Sequence, residues 1–422
     1  MTQSRRSFLG GLTAVGAAGC ARGQEPPPGA SSRAAATVAP SEPVIGGPPD
    51  PIPALRERTG LKMRSLETFT HGHVSVVRLA TDDGSEGWGQ ISTYDADISA
   101  TVLHRKVAGH FLGRDPADLS DIVDRCIEAN YKYPWSYVCR ALTGAETAVW
   151  DLLGKRAGKP VCVLIGGAPK SIPAYGSSMS REITPEEEAK RLVRLRDETG
   201  YRAFKVRVGQ VNGRDVDQWP GRTEALVPAI RKAVGEAVSL KVDGNSCYTP
   251  PKAIEVGRLL EAHAYDHFEE PCPYWELEWT AQVAAALDVA VAGGEQDNDL
   301  AQWRRMIALP AVDIVQPDIC YLGGLLRTLR VARMAEKAGM PCVPHSANLA
   351  MVTLFTLHLL AAIPNAGPFL EYSIEDTPWI EGLFEPALRV VDGDVPMSEE
   401  PGWGVRVSTA WLNKAERQRS EV

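Results

Sequence analysis

Lys205, Asp243, Glu269, Glu295, Asp318, His345 and Glu371 recur along the chain at a spacing that suggests one shared site. The intervals Asp243–Glu269, Glu269–Glu295 and His345–Glu371 are each 26 residues, and Asp318–His345 is 27. A lone acid at the end of an apolar run is usually a helix N-cap or a solvated loop residue. Three on consecutive runs are harder to dismiss. Asp243, Glu269 and Glu295, converging in one cleft, would repel strongly unless a cation neutralised them. An all-oxygen set favours a hard cation, Mg²⁺ before Mn²⁺ or Ca²⁺. Glu270, directly after Glu269, is expected on the other face or behind the ligands. A lone histidine is more often a core or surface residue than a catalyst. Asp318 gives His345 a partner that could orient its ring and raise its pKa, which makes a proton-transfer pair. Lys205 sits between apolar neighbours, where a lysine is costly unless it faces a polar cavity or snorkels to water. Asn245, two residues after Asp243, would face the same side and could donate to a substrate; its plain alternative is a turn residue. Tyr94, in the loop ISTYDAD, is a candidate for lining the site from outside these runs. His71 and His73 read mainly as structural.

These residues need elements that converge. Eight short apolar runs supply them: SIPAYGS (171–177), AFKVRVG (203–209), VSLKVDG (238–244), YDHFEEP (265–271), VAVAGGE (289–295), VDIVQPD (312–318), MPCVPHS (340–346) and PFLEY (368–372). Helix-sized stretches separate most of them, which predicts a parallel sheet. Eight such units indicate a closed barrel, whose C-terminal strand ends share one mouth. The competing open doubly wound sheet would want a Gly-rich phosphate loop after its first strand, and none is present. Upstream, residues 63–91 alternate and turn at Asp83-Gly84, as a hairpin or short meander does. Residues 99–157 read as helices, so that part is α+β.

The chain has 422 residues, a net charge of −8, 44% hydrophobic and 23% charged residues. Its pI of about 5.6 argues against a nucleic-acid partner. No apolar run in the folded part is long enough to span a bilayer. The eight cysteines form no CxxC pair, so no zinc or redox motif is signalled. The first twenty residues read as a twin-arginine export signal: Arg5-Arg6, then Phe8-Leu9, then a Gly/Ala-rich stretch. Ala17-Ala18-Gly19-Cys20 resembles a lipoprotein cleavage box, with Ala17 where a larger aliphatic residue is usual, so a lipid anchor at Cys20 stands beside simple cleavage. Residues 21–53, rich in Pro, Ala, Gly and Ser, read as a disordered linker.

From about Met63 to Val407 the motifs resemble the enolase superfamily, mandelate racemase subgroup. KVDGN, HFEEP and GGEQ resemble its three metal-ligand motifs, which gives Asp243, Glu269 and Glu295. QPDICYLGG followed by PH resembles its Asp-His dyad, and FLEY its last-strand glutamate, which gives Asp318, His345 and Glu371. VVRLATDDGSEGWGQ and PGWGVRV resemble segments of its capping domain. The resemblance implies an α/β fold, a modified (β/α)7β TIM-type barrel over 171–384. It also implies an α+β capping domain over 54–170 and a C-terminal segment, 385–422, that returns to it. It further implies Mg²⁺, a small carboxylate substrate and a symmetric homo-oligomer.

One position departs from the subgroup. Its second strand usually ends in Lys-x-Lys; here it reads Lys205-Val206-Arg207. Arginine holds its proton too tightly to serve as a general base, although it can bind a carboxylate. The resemblance therefore implies abstraction of a proton α to a carboxylate, with the metal and Lys205 stabilising the enediolate and His345 as the one base. Glu371, if protonated, would donate a hydrogen bond to the far carboxylate oxygen. Loss of a β-hydroxyl then makes the enzyme an acid-sugar dehydratase. The alternatives are a racemase or epimerase of an α-substituted carboxylate, and an exported carboxylate-binding protein without catalysis. An export signal places any of the three in the periplasm.

Overall fold

The computed structural model describes residues 52–133 and 135–422. The twin-arginine segment, Cys20 and the linker as far as residue 51 lie outside the described residues. Ile52, assigned above to the linker, is buried, and Pro53 opens a short 3-10 turn, so ordered packing begins just upstream of the expected boundary.

Strands β1 (Met63–His71), β2 (Val74–Thr81) and β3 (Glu86–Gln90) form an antiparallel meander. The β2–β3 turn is held by Asp83, whose Oδ1 accepts from the Ser85 N–H at 2.9 Å and from the Thr81 hydroxyl at 2.7 Å. The strand Glu416–Glu421 pairs antiparallel with β1, so the C-terminal end completes a four-stranded sheet. This sheet packs on the helix Ser136–Ala157, most of whose residues are buried.

The second sheet is parallel. It contains β4 (Ile172–Ser177), β5 (Ala203–Arg207), β6 (Ser239–Asp243), β7 (His267–Glu269), β8 (Ala290–Gly293), β9 (Ile314–Val315) and β10 (Leu370–Ser373), in the order β10-β4-β5-β6-β7-β8-β9. Seven of the eight expected runs are strands. The eighth, 340–346, is not. Cys342 alone makes bridges, to Val315 on one side and Ala366 on the other. Pro341 and Pro344 explain this, because neither can donate to a ladder. Four backbone bonds still connect the sheet here: Val315 N–H to Pro341 O, Val343 N–H to Val315 O, Cys342 N–H to Asn365 O and Gly367 N–H to Cys342 O.

The strand period sorts side chains between two faces. Phe204, Val206, Leu240, Val242 and Phe268 join the apolar core. The alternate residues line up across strands in two polar layers. Arg207, Asp243 and Glu269 are in register, and so are Lys205, Lys241 and His267 beneath them. All six are buried.

Candidate active site

The mouth at the upper polar layer gathers most of the predicted residues, with Lys205 reaching it from the layer below. The fully buried Lys205 Nζ lies 2.6 Å from Glu269 Oε1, 2.8 Å from Glu371 Oε1 and 3.7 Å from Asp243 Oδ2. Burial alone would lower its pKa, but the Glu269 and Glu371 carboxylates outweigh that and raise it well above the ordinary range. Arg207 Nη1 stands 3.0 Å from Asp243 Oδ2, and this carboxylate outweighs burial in raising the guanidinium pKa. Gln316 donates to Glu269 Oε2 at 2.8 Å.

Asp318 fills both roles considered for it. Its Oδ1 caps a short helix by accepting from the Cys320 and Tyr321 N–H groups, at 2.7 and 3.0 Å. Its Oδ2 is 2.7 Å from His345 Nδ1, which therefore carries the proton. The other ring nitrogen, Nε2, faces Glu295 Oε2 at 3.3 Å. Burial would lower the His345 pKa, but Glu295, Glu371 and Asp318 raise it to about 10. Glu295 owes its place to the Gly-Gly before it. Gly294 has φ +108°, and a Cβ there would lie 2.2 Å from the Trp303 ring.

Asp243, Glu269 and Glu295 offer oxygen only. Asp243 Oδ2 and Glu295 Oε2 are buried and accept no hydrogen bond. Unsatisfied anionic oxygens suit a hard cation. Among the described residues, however, no three Asp, Glu, His or Cys side chains close into a ready ion cage. The negative charge is met from within, by Lys205, Arg207 and His345. The donor set fits the metal in kind, and its oxygens would have to turn from these internal cations to hold it.

Two family models match, and the second spans the barrel residues of this site. Residues 54–166 match "Mandelate racemase / muconate lactonizing enzyme, N-terminal domain", and residues 187–411 match "Enolase C-terminal domain-like". The chain belongs to the mandelate racemase/muconate lactonizing enzyme family of the enolase superfamily. Among its relatives, arabinonate dehydratase of Saccharolobus solfataricus is 28% identical over 83% of this chain and 92% of its own. L-talarate/galactarate dehydratase of Salmonella typhimurium is 31% identical over 81% and 82%. The crystal structure of a putative racemase from Roseobacter denitrificans is 56% identical, with a TM-score of 0.84 over 86% of this chain and all of that one. A mandelate racemase/muconate lactonizing protein from Paracoccus denitrificans, complexed with magnesium, is 26% identical, with a TM-score of 0.77 over 86% and 98%.

For this family member one expectation needs revision. Glu371 does not donate. Its Oε1 takes the Ser177 hydroxyl at 2.8 Å beside Lys205, and its Oε2 takes the Ser346 N–H at 2.8 Å. Burial would raise its pKa, yet Lys205 and His345 outweigh this and hold it below the usual carboxylate range, so it is an ionised acceptor. Asn245 is a left-handed turn residue with φ +43°, and its Oδ1 accepts from Arg181 at 2.9 Å. Glu270 is buried directly behind the ligands, with Oε1 unpartnered. Tyr94 does reach across: its hydroxyl is 3.3 Å from Asn348 Oδ1, three residues past His345. Ser177, Gln316, Ser346 and Arg181 were missed. Two had a visible signal, since Ser177 ends the first strand run and Gln316 precedes Asp318 by one strand period.

Proposed function

We propose that this protein is a Mg²⁺-dependent acid-sugar dehydratase that removes the proton α to a carboxylate and expels a β-hydroxyl as water, leaving a 2-keto-3-deoxy acid. The observation that carries this reading is the asymmetry of proton chemistry in the mouth. His345, oriented by Asp318 at 2.7 Å, is held charged by Glu295 and its neighbours, but an imidazole's ordinary range lies near neutral pH, so a cation engaging Glu295 would make it a competent acid/base. Arg207 and Lys205 are cations held charged by buried carboxylates, and neither can take a proton near neutral pH. Dehydration needs one such group; two-sided racemisation needs a second.

Asp318 keeps the proton on Nδ1, which leaves Nε2 to receive the α-proton. The same nitrogen then returns that proton to the departing hydroxyl. The Lys205 ammonium and the Arg207 guanidinium offset the charge that grows on the substrate carboxylate as the α-proton leaves. Glu371, pinned by Ser177 and the Ser346 N–H, keeps Lys205 in place. Asp243, Glu269 and Glu295 would hold a divalent cation, whose charge would polarise the substrate carboxylate and offset the acids that raise the His345 pKa. Two supports come from outside the chain: the dehydratase relatives and the magnesium complex of a structural neighbour.

The deciding experiment is a panel of aldonates and aldarates incubated with Mg²⁺ and scored for 2-keto acid. No turnover on any member, with Mg²⁺ binding intact, would sink the reading. The 56% identical putative racemase from Roseobacter denitrificans makes racemisation the second reading. In D₂O it predicts exchange with inversion and no loss of water. We also propose export by the twin-arginine route to the periplasm, cleaved or lipidated at Cys20, and a homo-oligomeric state. Cell fractionation with and without Arg5-Arg6→Lys-Lys tests the first, and light scattering the second.

A further inference from the structure

The parallel sheet lines a second cavity, of about 360 Å³ and open to solvent, at the N-terminal ends of its strands, opposite the acidic mouth. That size falls within the roughly 300–1,000 Å³ of small-ligand pockets. One wall is polar, with Lys241 and Ser239 from β6 and His267 from β7. The facing wall is apolar, with Ile314, Val343 and Phe369. No step of the reaction above uses any of them.

Lys241 is the unusual element. A snorkelling lysine leaves its ammonium in water, but Lys241 is only 5% exposed. Its Nζ lies over the Phe369 ring, 5.0 Å from the centroid, and 5.6 Å from the Tyr175 centroid. Of its three N–H donors, one meets Ser239 Oγ at 2.5 Å. The nearest carboxylate, Asp266, is half exposed, stands 3.8 Å away and is itself hydrogen-bonded to Ser239. Beside Lys241, His267 is buried and its Nε2 has no hydrogen-bond partner. A buried cation with one short hydrogen bond and only a half-exposed carboxylate, 3.8 Å away, is under-solvated.

We infer that this cavity is a second ligand site, built for a small monocarboxylate with an apolar body. The carboxylate would pair with Lys241 on the β6–β7 wall, and the body would lie against Ile314, Val343 and Phe369. His267 touches both ends of the barrel, because its Nε2 also lies 3.8 Å from Glu269 Oε2. Occupancy below is thus one side chain away from the acids above.

Benzoate and benzyl alcohol are the probes. They share a ring and differ in the carboxylate. The readout is the methyl spectrum of ¹³C-labelled Ile314 and Val343 in the full chain. Benzoate should shift both methyls saturably, and benzyl alcohol should bind at least about tenfold more weakly. Lys241→Met keeps the length and removes the charge; it should weaken benzoate about tenfold and leave benzyl alcohol unchanged. Equal titration by the two probes, no benzoate shift at Ile314 and Val343, or parent-like benzoate binding by Lys241→Met would each overturn the site. If Lys241→Met does not fold, the two-probe comparison on the unmodified protein decides.

Discussion

Lys205→Met tests whether one ammonium holds the acidic mouth together. Lys205, Glu269 and Glu371 are all buried, and the ammonium lies 2.6 and 2.8 Å from the two carboxylates. Its loss leaves two buried acids without their nearest counter-charge, which typically costs about 3–5 kcal/mol. For a chain of this size that is a fall in Tm on the order of 5–10 °C. The loss should also depend on pH. In the parent, Glu371 is held below its ordinary pKa, so it contributes stability above the unfolded value, lost as pH falls through the folded one. Without Lys205 its folded pKa rises above the unfolded value, and the variant loses stability as pH rises through it. The Tm gap between variant and parent should therefore be small near pH 4 and widen toward pH 8. Scanning calorimetry of EDTA-treated protein measures it, with Lys205→Arg as a charge-retaining control. A variant as stable as the parent at pH 8, or a gap that ignores pH, would refute the reasoning.

Asp318→Asn should lower turnover and D₂O exchange together by about 10²–10⁴-fold, while a Mg²⁺-induced rise in Tm persists; parent-like exchange would contradict the dyad. Arg207→Lys places a titratable amine opposite His345 and should introduce exchange with inversion, read by chiral chromatography after incubation in D₂O. Mg²⁺ at about 100 times its Kd should stabilise the EDTA-treated protein by about 2.7 kcal/mol in calorimetry, and Glu295→Gln should remove most of that gain. His358 is fully buried, takes the Cys162 N–H on Nδ1 at 3.1 Å, and has its pKa pushed down to about 4 by burial. Its contribution is present above the unfolded value near 6.5 and is lost as pH falls toward 4, about 3 kcal/mol in all. Urea titrations at pH 7 and pH 4 should show a smaller difference for His358→Gln than for the parent.

The metal-type acids and the dyad were legible because a barrel repeat stamps its period on the sequence, and Asp243, Glu269, Glu295 and Asp318 stand at or just past strand ends. The protonation of Glu371 was not legible. It depends on Ser177, Lys205 and the Ser346 N–H, which come from three separate runs and meet only in three dimensions. The lower polar layer was hidden for a similar reason. Lys241 and His267 each sit beside apolar residues, and only the register with Lys205 reveals a continuous polar interior. Run 340–346 misled in the other direction. Its composition suits a strand, but its two prolines leave Cys342 to carry the pairing.

The helix Leu325–Lys337 begins after Gly324, which has no side chain to cap it. The acceptor for its Leu325 and Leu326 N–H groups is Glu146, 179 and 180 residues earlier, at 3.0 and 2.8 Å. A Cβ on Gly324 would lie 2.4 Å from that carboxylate, so the fit admits glycine alone. This helix follows directly on the segment that carries Asp318. Its first turn is therefore completed by a distant stretch of the same chain. The helix Ser136–Ala157 thus buttresses the segment next to the orienting acid of the dyad, and a substitution at Glu146 is expected to reach the proton-transfer pair without touching it.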